Sequence, residues 1–251
     1  MTTESMGNGD VSSEAWNRLY RVGAIAAFVA VLVMISEIVI TFLPGGGRVN
    51  PEDVTVVNWF ELFQDSWFLG LRNLGLVNMI AAAVLIPAVL ALFGALRAEH
   101  GPWAILALIL SVAGTAVYLG GNTGLAMLSL SNQYAAAATD AQRMAIEAAG
   151  RAMLALGESH TPGTFVAFLL IECGGLLNSF LMLRSAHFAR ATAVAGLLGN
   201  AALLAFEIAS AFIPALFDAS LLIAGAGGVL SLVWYVMTGR DLLRLARAVP
   251  A

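Results

Sequence analysis

Three carboxylates interrupt runs that are otherwise almost wholly apolar: Glu37, Glu172 and Glu207. A charge at mid-bilayer depth costs at least ~2.5 kcal/mol on insertion scales, so acids in such runs turn to the interior of a helix bundle. Two amides, Asn78 and Asn122, interrupt two further runs. At the helical rise, Glu37 and Glu207 fall ~9 Å inside one boundary of their runs and Glu172 ~15 Å, with the amides at comparable depth. Five polar side chains from five helices are therefore expected in one slab. Such a set can bind a small cation or an amphipathic molecule, with Glu172 or Glu207 gaining and losing a proton. Arg72, at the same end of its run, is the candidate counter-charge. The competing role is structural: protonated Glu and Asn side chains that hydrogen-bond between helices, at about 0.6 kcal/mol each. On residues alone the structural role ranks first.

The elements that must position these residues are six apolar stretches, at 21–43, 71–96, 103–130, 162–183, 191–213 and 219–238. Each reaches the ~20 residues that the hydrocarbon core demands. Without water, only continuous helices or closed barrels satisfy their backbone groups. Of the 251 residues, 60% are hydrophobic and 11% charged, against roughly 25% charged in a soluble domain. The expected fold is all-α: a six-transmembrane-helix bundle over 19–247, preceded by a polar segment at 1–18. The first run, Val22 to Leu43, exceeds a signal-peptide h-region and is expected to stay as a helix.

The 12 basic residues are all arginine. Threading the six stretches alternately through a membrane puts Arg18, Arg21, Arg97, Arg184, Arg190, Arg240, Arg244 and Arg247 on one side. The other side receives Arg48, Arg72, Arg143 and Arg151 with eight acids. The richer side is cytoplasmic by the positive-inside rule, which predicts a multi-pass cell-membrane protein with both termini inside.

The two outer connections carry amphipathic helices of their own. Asn50-Pro51-Glu52-Asp53 reads as a helix start. The aromatic run Trp59, Phe60, Phe63, Trp67 and Phe68 then predicts an interfacial helix over 52–68. Thr139 to Gln142 has capping-box spacing, and Glu147 precedes Arg151 by four, predicting a helix over 140–156. Thr161-Pro162 is expected to cap the fourth span. The segment from Gly239 to Arg247 reads as a basic amphipathic helix for an anionic leaflet. Pro87 predicts a kink, while Gly120-x-x-x-Gly124, Gly174-Gly175 and Gly225 to Gly228 predict close helix packing. Leu96 to His100 and Leu183 to His187 echo each other, as do Glu37 to Pro44 and Glu207 to Pro214, as in transporters with internal repeats.

Other chemistry finds little support. One cysteine, Cys173, excludes a disulfide or a multi-thiolate metal site within the chain, and no His-Glu-x-x-His helix occurs. His100, His160 and His187 read as solvated turn histidines. There is no Gly-x-Ser-x-Gly elbow. No metal and no cofactor is expected, and a net charge of -4 gives no nucleic-acid surface. The expected partners are membrane lipids and either a second copy or another membrane protein.

The block Tyr118 to Asn122, Met127 to Ser131, Gln133 to Ala138, Ala141 to Arg143 and Ala148 to Gly150 resembles a group of bacterial six-helix inner-membrane proteins, mostly domains of unknown function. Leu181 to Ser185 with Phe188, Arg190 to Thr192 and Gly196 is similar to their fourth-to-fifth helix junction. The resemblance implies a fold and a location, and no activity. Function is therefore ranked on the residues. A non-enzymatic scaffold, partner subunit or lipid-interacting module comes first, and a small proton-coupled transporter second. An intramembrane enzyme acting on lipid, through Glu172 with Ser179 or His160 with Glu158, comes last. Convergence of the three glutamates on one cavity favours the transporter.

Overall fold

The computed structural model describes residues 5–42 and 55–248. Among them every regular element is helical: α1 (Ser5–Phe42), α2 (Val56–Asp65), α3 (Trp67–Asn73), α4 (Leu76–Gly121), α5 (Gly124–Ala136), α6 (Asp140–Gly157), α7 (Phe165–Arg184), α8 (Arg190–Phe212) and α9 (Phe217–Ala248), the last preceded by a 3-10 turn. By length and composition five stretches can cross a membrane: Glu14–Thr41, Leu76–Ala136, Phe165–Arg184, Arg190–Phe212 and Phe217–Arg247. This is the signature of a multi-pass membrane protein.

The long α4 is a hairpin. Its 46 residues would span ~69 Å as a straight helix, more than twice the hydrocarbon core. Helical torsions fail at Gly101 (φ 31°, ψ −105°), a left-handed φ that glycine tolerates. Pro102 follows; it brings no N–H and disfavours α geometry in the residue before it. The Asn122 Nδ2 then donates to the Leu74 carbonyl at 2.6 Å, which returns the chain to where α4 began. The two limbs, 76–100 and 102–121, thus lie side by side. The kink expected at Pro87 is absent from the torsions: Gly101 is the residue inside α4 that leaves helical geometry.

Small residues bring the long helices together, as apolar surroundings require when packing rather than water exclusion drives association. Gly23 of α1 faces Ala88 and Ala91 of the first α4 limb, and Gly174 of α7 faces the Ser111 backbone of the second. Gly175 meets Asn200, and Gly196 meets Ser179, which zips α7 to α8 antiparallel. Gly199 faces Ser231 of α9, and Gly239 of α9 faces Phe28 and Ala24 of α1. The neighbour sequence closes on itself around a central space. Gly120 and Gly121, in contrast, have no neighbouring atom within 4 Å of a Cβ position, so the predicted Gly120-x-x-x-Gly124 contact does not form.

The shorter helices α2, α3, α5 and α6 make a second packed layer. Trp59, Phe60, Phe63, Leu71, Leu74 and Met127 form its core, with Tyr134, Ile146 and Met153 against it. The single helix predicted over 52–68 is instead two, α2 and α3. The proposed start at Asn50 to Asp53 lies outside the described residues, and Thr55 with Asn58 forms the capping box of α2. The helix breaks at Ser66, and its aromatics are buried against α5 and α6; Trp67 and Phe68 remain exposed. The third predicted stretch, 103–130, also divides, because Asn122 and Thr123 separate α4 from α5. The box at Thr139 and Gln142 forms as predicted.

Two further boundaries differ from expectation. Helix α7 begins at Phe165 behind Thr164, since the Thr161 hydroxyl donates to the Glu158 carbonyl instead of capping. The segment 239–247 is not a separate surface helix but continues α9, with Leu242 and Ala246 buried. Asp241 accepts from the Ala189 amide at 3.2 Å and the Thr192 hydroxyl at 2.7 Å, so one helix end caps the start of another.

A Cβ at Gly174 would stand 2.8 Å from the Ser111 backbone nitrogen, which cannot move like a side chain. Gly174→Leu is expected to cost at least ~1–3 kcal/mol by overpacking, and Gly120→Ala to cost nothing. The unfolding midpoints of the detergent-purified variants measure the contrast; equal midpoints would contradict the packing described.

Candidate functional site

At the centre of the ring lies a cavity of about 470 Å³, within the range that holds small molecules. Ala, Gly, Leu and Val supply 13 of its 31 lining residues, and Glu, Asn, Ser, Thr and His supply 11. Glu37 from α1, Asn78 from α4, Glu172 from α7 and Glu207 from α8 all line it. Four of the six residues singled out in the sequence thus meet in one place.

The other two do different work. Asn122 is structural: its amide donates to the Leu74 carbonyl at 2.6 Å and its oxygen accepts from the Gly124 amide at 2.9 Å. Both bonds hold the α4–α5 corner, since Asn122 ends one helix and its side chain serves backbone groups that the break exposes. Arg72, 1% exposed, supports the site from behind Glu37. Its Nε lies 3.1 Å from Glu37 Oε2, and its Nη2 donates to the Glu37 carbonyl at 3.2 Å and to the Thr41 hydroxyl. The Nη1 donates to Asn73 Oδ1 at 2.9 Å. Arg72 is thus the charge partner of Glu37.

Glu207 has a different partner. His160 Nδ1 stands 2.6 Å from Glu207 Oε1. The imidazole stacks on Phe168 (centroids 5.0 Å apart) and leans on Phe206 (4.9 Å). His160 also has φ 64°, a left-handed backbone in which histidine is enriched several-fold but still uncommon. The side chain is 27% exposed while that of Glu207 is 3%, so the pair joins the surface to a buried acid. This overturns the reading of His160 as a solvated turn histidine. His187 and His100 at the other end are not simply solvated either: Glu99 lies 3.2 Å from one and 3.7 Å from the other.

Glu172 stands apart. Its Oε2 is buried and has no hydrogen-bond partner among the described residues, and the same holds for Glu207 Oε2. The register set by Gly175 against Asn200 and Gly196 against Ser179 puts Glu207 beside Phe168, one turn from Glu172. The two acids are therefore ~6 Å apart along the helix axis. Two unpartnered donors, Trp234 Nε1 and the Thr238 hydroxyl, belong to the same cavity. A buried polar atom left unmade costs ~1–3 kcal/mol, and buried groups that lack protein partners call for a bound one. The cavity offers carboxylate oxygens at one level, donors deeper on α9, and apolar walls between.

Asn178, Asn200, Trp234 and Tyr235 also line the cavity and were not singled out in the sequence. For Asn200 the available signal was its spacing, seven residues before Glu207 and so on one helix face; Asn178, six residues after Glu172, gave no such signal. Of the two enzyme pairs weighed, Ser179 packs against Gly196, and His160 bonds Glu207 instead of Glu158.

Removing one partner of a buried ion pair leaves an uncompensated charge, at ~3–5 kcal/mol, whereas replacing both with apolar groups is often neutral. Arg72→Met alone is expected to lower the unfolding midpoint strongly, and Arg72→Met with Glu37→Leu to recover most of the loss. Thermal unfolding of the single and double variants reads this out; equal destabilisation by both would mean that the pair is not what holds α1 to α3.

No protein-family model matches this chain, and neither does any curated protein or solved structure.

Proposed function

We propose that this chain is a proton-coupled carrier for a small amphipathic cation, crossing the membrane six times with both termini in the cytoplasm. The observation that carries the reading is the unpartnered Glu172 carboxylate in a cavity it shares with the Glu207–His160 pair. A scaffold has no use for an orphaned buried acid, which only destabilises it. A carrier does: the acid is protonated when the cavity is empty and ionised when a cation is present.

The residues divide the work by their partners. Glu37, held by Arg72, is structural. Glu172 releases its proton as the cationic head arrives and takes one back as it leaves. Glu207 and His160 carry that proton between the cavity and the surface. The apolar walls select a ligand with a hydrocarbon body, and Trp234 adds an aromatic face of the kind that favours quaternary ammonium groups. The hairpin in α4 supports the six-crossing topology, since each limb is long enough to span alone. The arginine distribution supports the orientation. The likeness of the 118–150 block to uncharacterised six-helix membrane proteins agrees with both.

The test is exchange in proteoliposomes loaded with a pH-reporting dye at acidic pH. Adding dodecyltrimethylammonium outside should raise the internal pH for the wild-type protein. Glu172→Gln should abolish the rise while leaving the yield and unfolding midpoint of the purified protein intact. A normal rise with that variant would remove the carrier reading.

A further inference from the structure

The way into the cavity is marked by the exposure of its own walls. Among the residues that line it, those that are exposed are Ile38 (47%), Gly225 and Val229 (62%). The first is on α1 and the other two are on α9. The lining residues on α4, α7 and α8 are buried or half-buried. The cavity therefore opens between α1 and α9.

The packing of these two helices explains the gap. They meet through Ala24 and Phe28 on α1 and Gly239 on α9, with Ala24 and Leu242 in one core cluster. At the other end Ile38 and Val229 are exposed. There α1 is held by Arg72 through Glu37 and Thr41. On α9, Gly227 packs on Ala202 and Leu203 of α8. The α9 wall at this level is thin: among the described residues, no atom lies within 4 Å of a Cβ position at Gly225 or Gly228.

The rim is apolar. Ile35, Ile38 and Val39 on α1, and Leu222, Ile223 and Val229 on α9, are all exposed. In a membrane-spanning segment such residues face acyl chains rather than water, so the opening faces the lipid.

We propose that the cavity is loaded sideways from the bilayer, between α1 and α9, and that its ligand is a single-chain amphipath with a cationic head. The head reaches Glu172 and Glu207, and the tail trails between Ile38 and Val229 into the acyl layer. The inference rests on the carrier reading and adds to it the route and the substrate class. The charge of the two acids selects the head, and the apolar rim admits the chain.

The experiment is equilibrium binding of radiolabelled dodecyltrimethylammonium and tetramethylammonium to the full chain in lipid nanodiscs, corrected against empty nanodiscs. The long-chain probe should bind at least about tenfold more tightly than the short one, a difference of ~1.4 kcal/mol. Gly228→Trp, which fills the gap, should weaken long-chain binding by a similar factor, as should Val229→Trp. The second variant changes an exposed side chain and so guards against a folding defect at Gly228. Gly120→Trp, at an exposed position on α4 that does not line the cavity, should change nothing. If both probes bind equally, or if the gap variants leave long-chain binding intact while Glu172→Gln abolishes it, the lateral route is wrong and the carrier site survives. If neither probe binds the wild-type protein, the site and the route fail together.

Discussion

An acid removed from water must be neutralised, and this fold treats its three buried glutamates in three ways. Glu37 receives a guanidinium that is itself almost fully enclosed. Glu207 receives an imidazole that reaches the surface. Glu172 receives no side-chain hydrogen bond among the described residues and keeps an oxygen unpartnered. Identical side chains at similar depth are thereby given different chemistry by their neighbours alone. The partners also differ in what they join: Arg72 with Glu37 ties α1 to α3, and His160 with Glu207 ties the turn before α7 to α8.

The cavity in which this happens exists because small residues set the helix spacing. Backbones that approach through Gly174, Gly175, Gly196 and Gly199 pull α4, α7, α8 and α9 together at their contact lines. The closure of the ring then leaves the centre to residues such as Ala81, Ala88 and Gly228, which are too short to fill it. Close contact at the seams and empty space at the axis are two results of one composition. The second layer, from α2 to α6, stiffens one end: Ser131 donates to the Phe60 carbonyl at 2.8 Å and Asn122 anchors α4 to Leu74. Helices that would otherwise be tied only through lipid-facing packing thus share a hydrogen-bonded cap.

Much of this was legible in the chain. The all-helical character, the stretches able to cross a membrane and the box at Thr139 follow from rules that act within one helix, and the described residues have each of them. The failures share a cause. Asn122 has the depth of a site residue, but the helix ends there, and its amide is taken by backbone groups 48 residues away. The aromatics from Trp59 to Phe63 have the composition of an interfacial belt, yet α5 and α6 cover them. Gly239 to Arg247 has a basic face suited to headgroups, but Asp241 turns inward to cap α8. In every case a tertiary partner claimed a side chain whose local pattern suited a membrane surface.

His160 is the sharpest example, and it shows why the site is built rather than accidental. A left-handed backbone at a non-glycine residue costs of order 1–3 kcal/mol and persists only where the surroundings over-determine it. Here they do. The flanking turn is closed by Thr161 and Thr164, whose hydroxyls both bond the Glu158 carbonyl. The ring is gripped by Phe168 of α7 and Phe206 of α8. Those two phenylalanines come from the helices that also carry Glu172 and Glu207, so a movement of α7 against α8 would change the grip on the imidazole and the spacing of the acids together. The strain at His160 is therefore coupled to the geometry of the cavity, and a proton on that ring is held by the same two helices that would hold a bound cation.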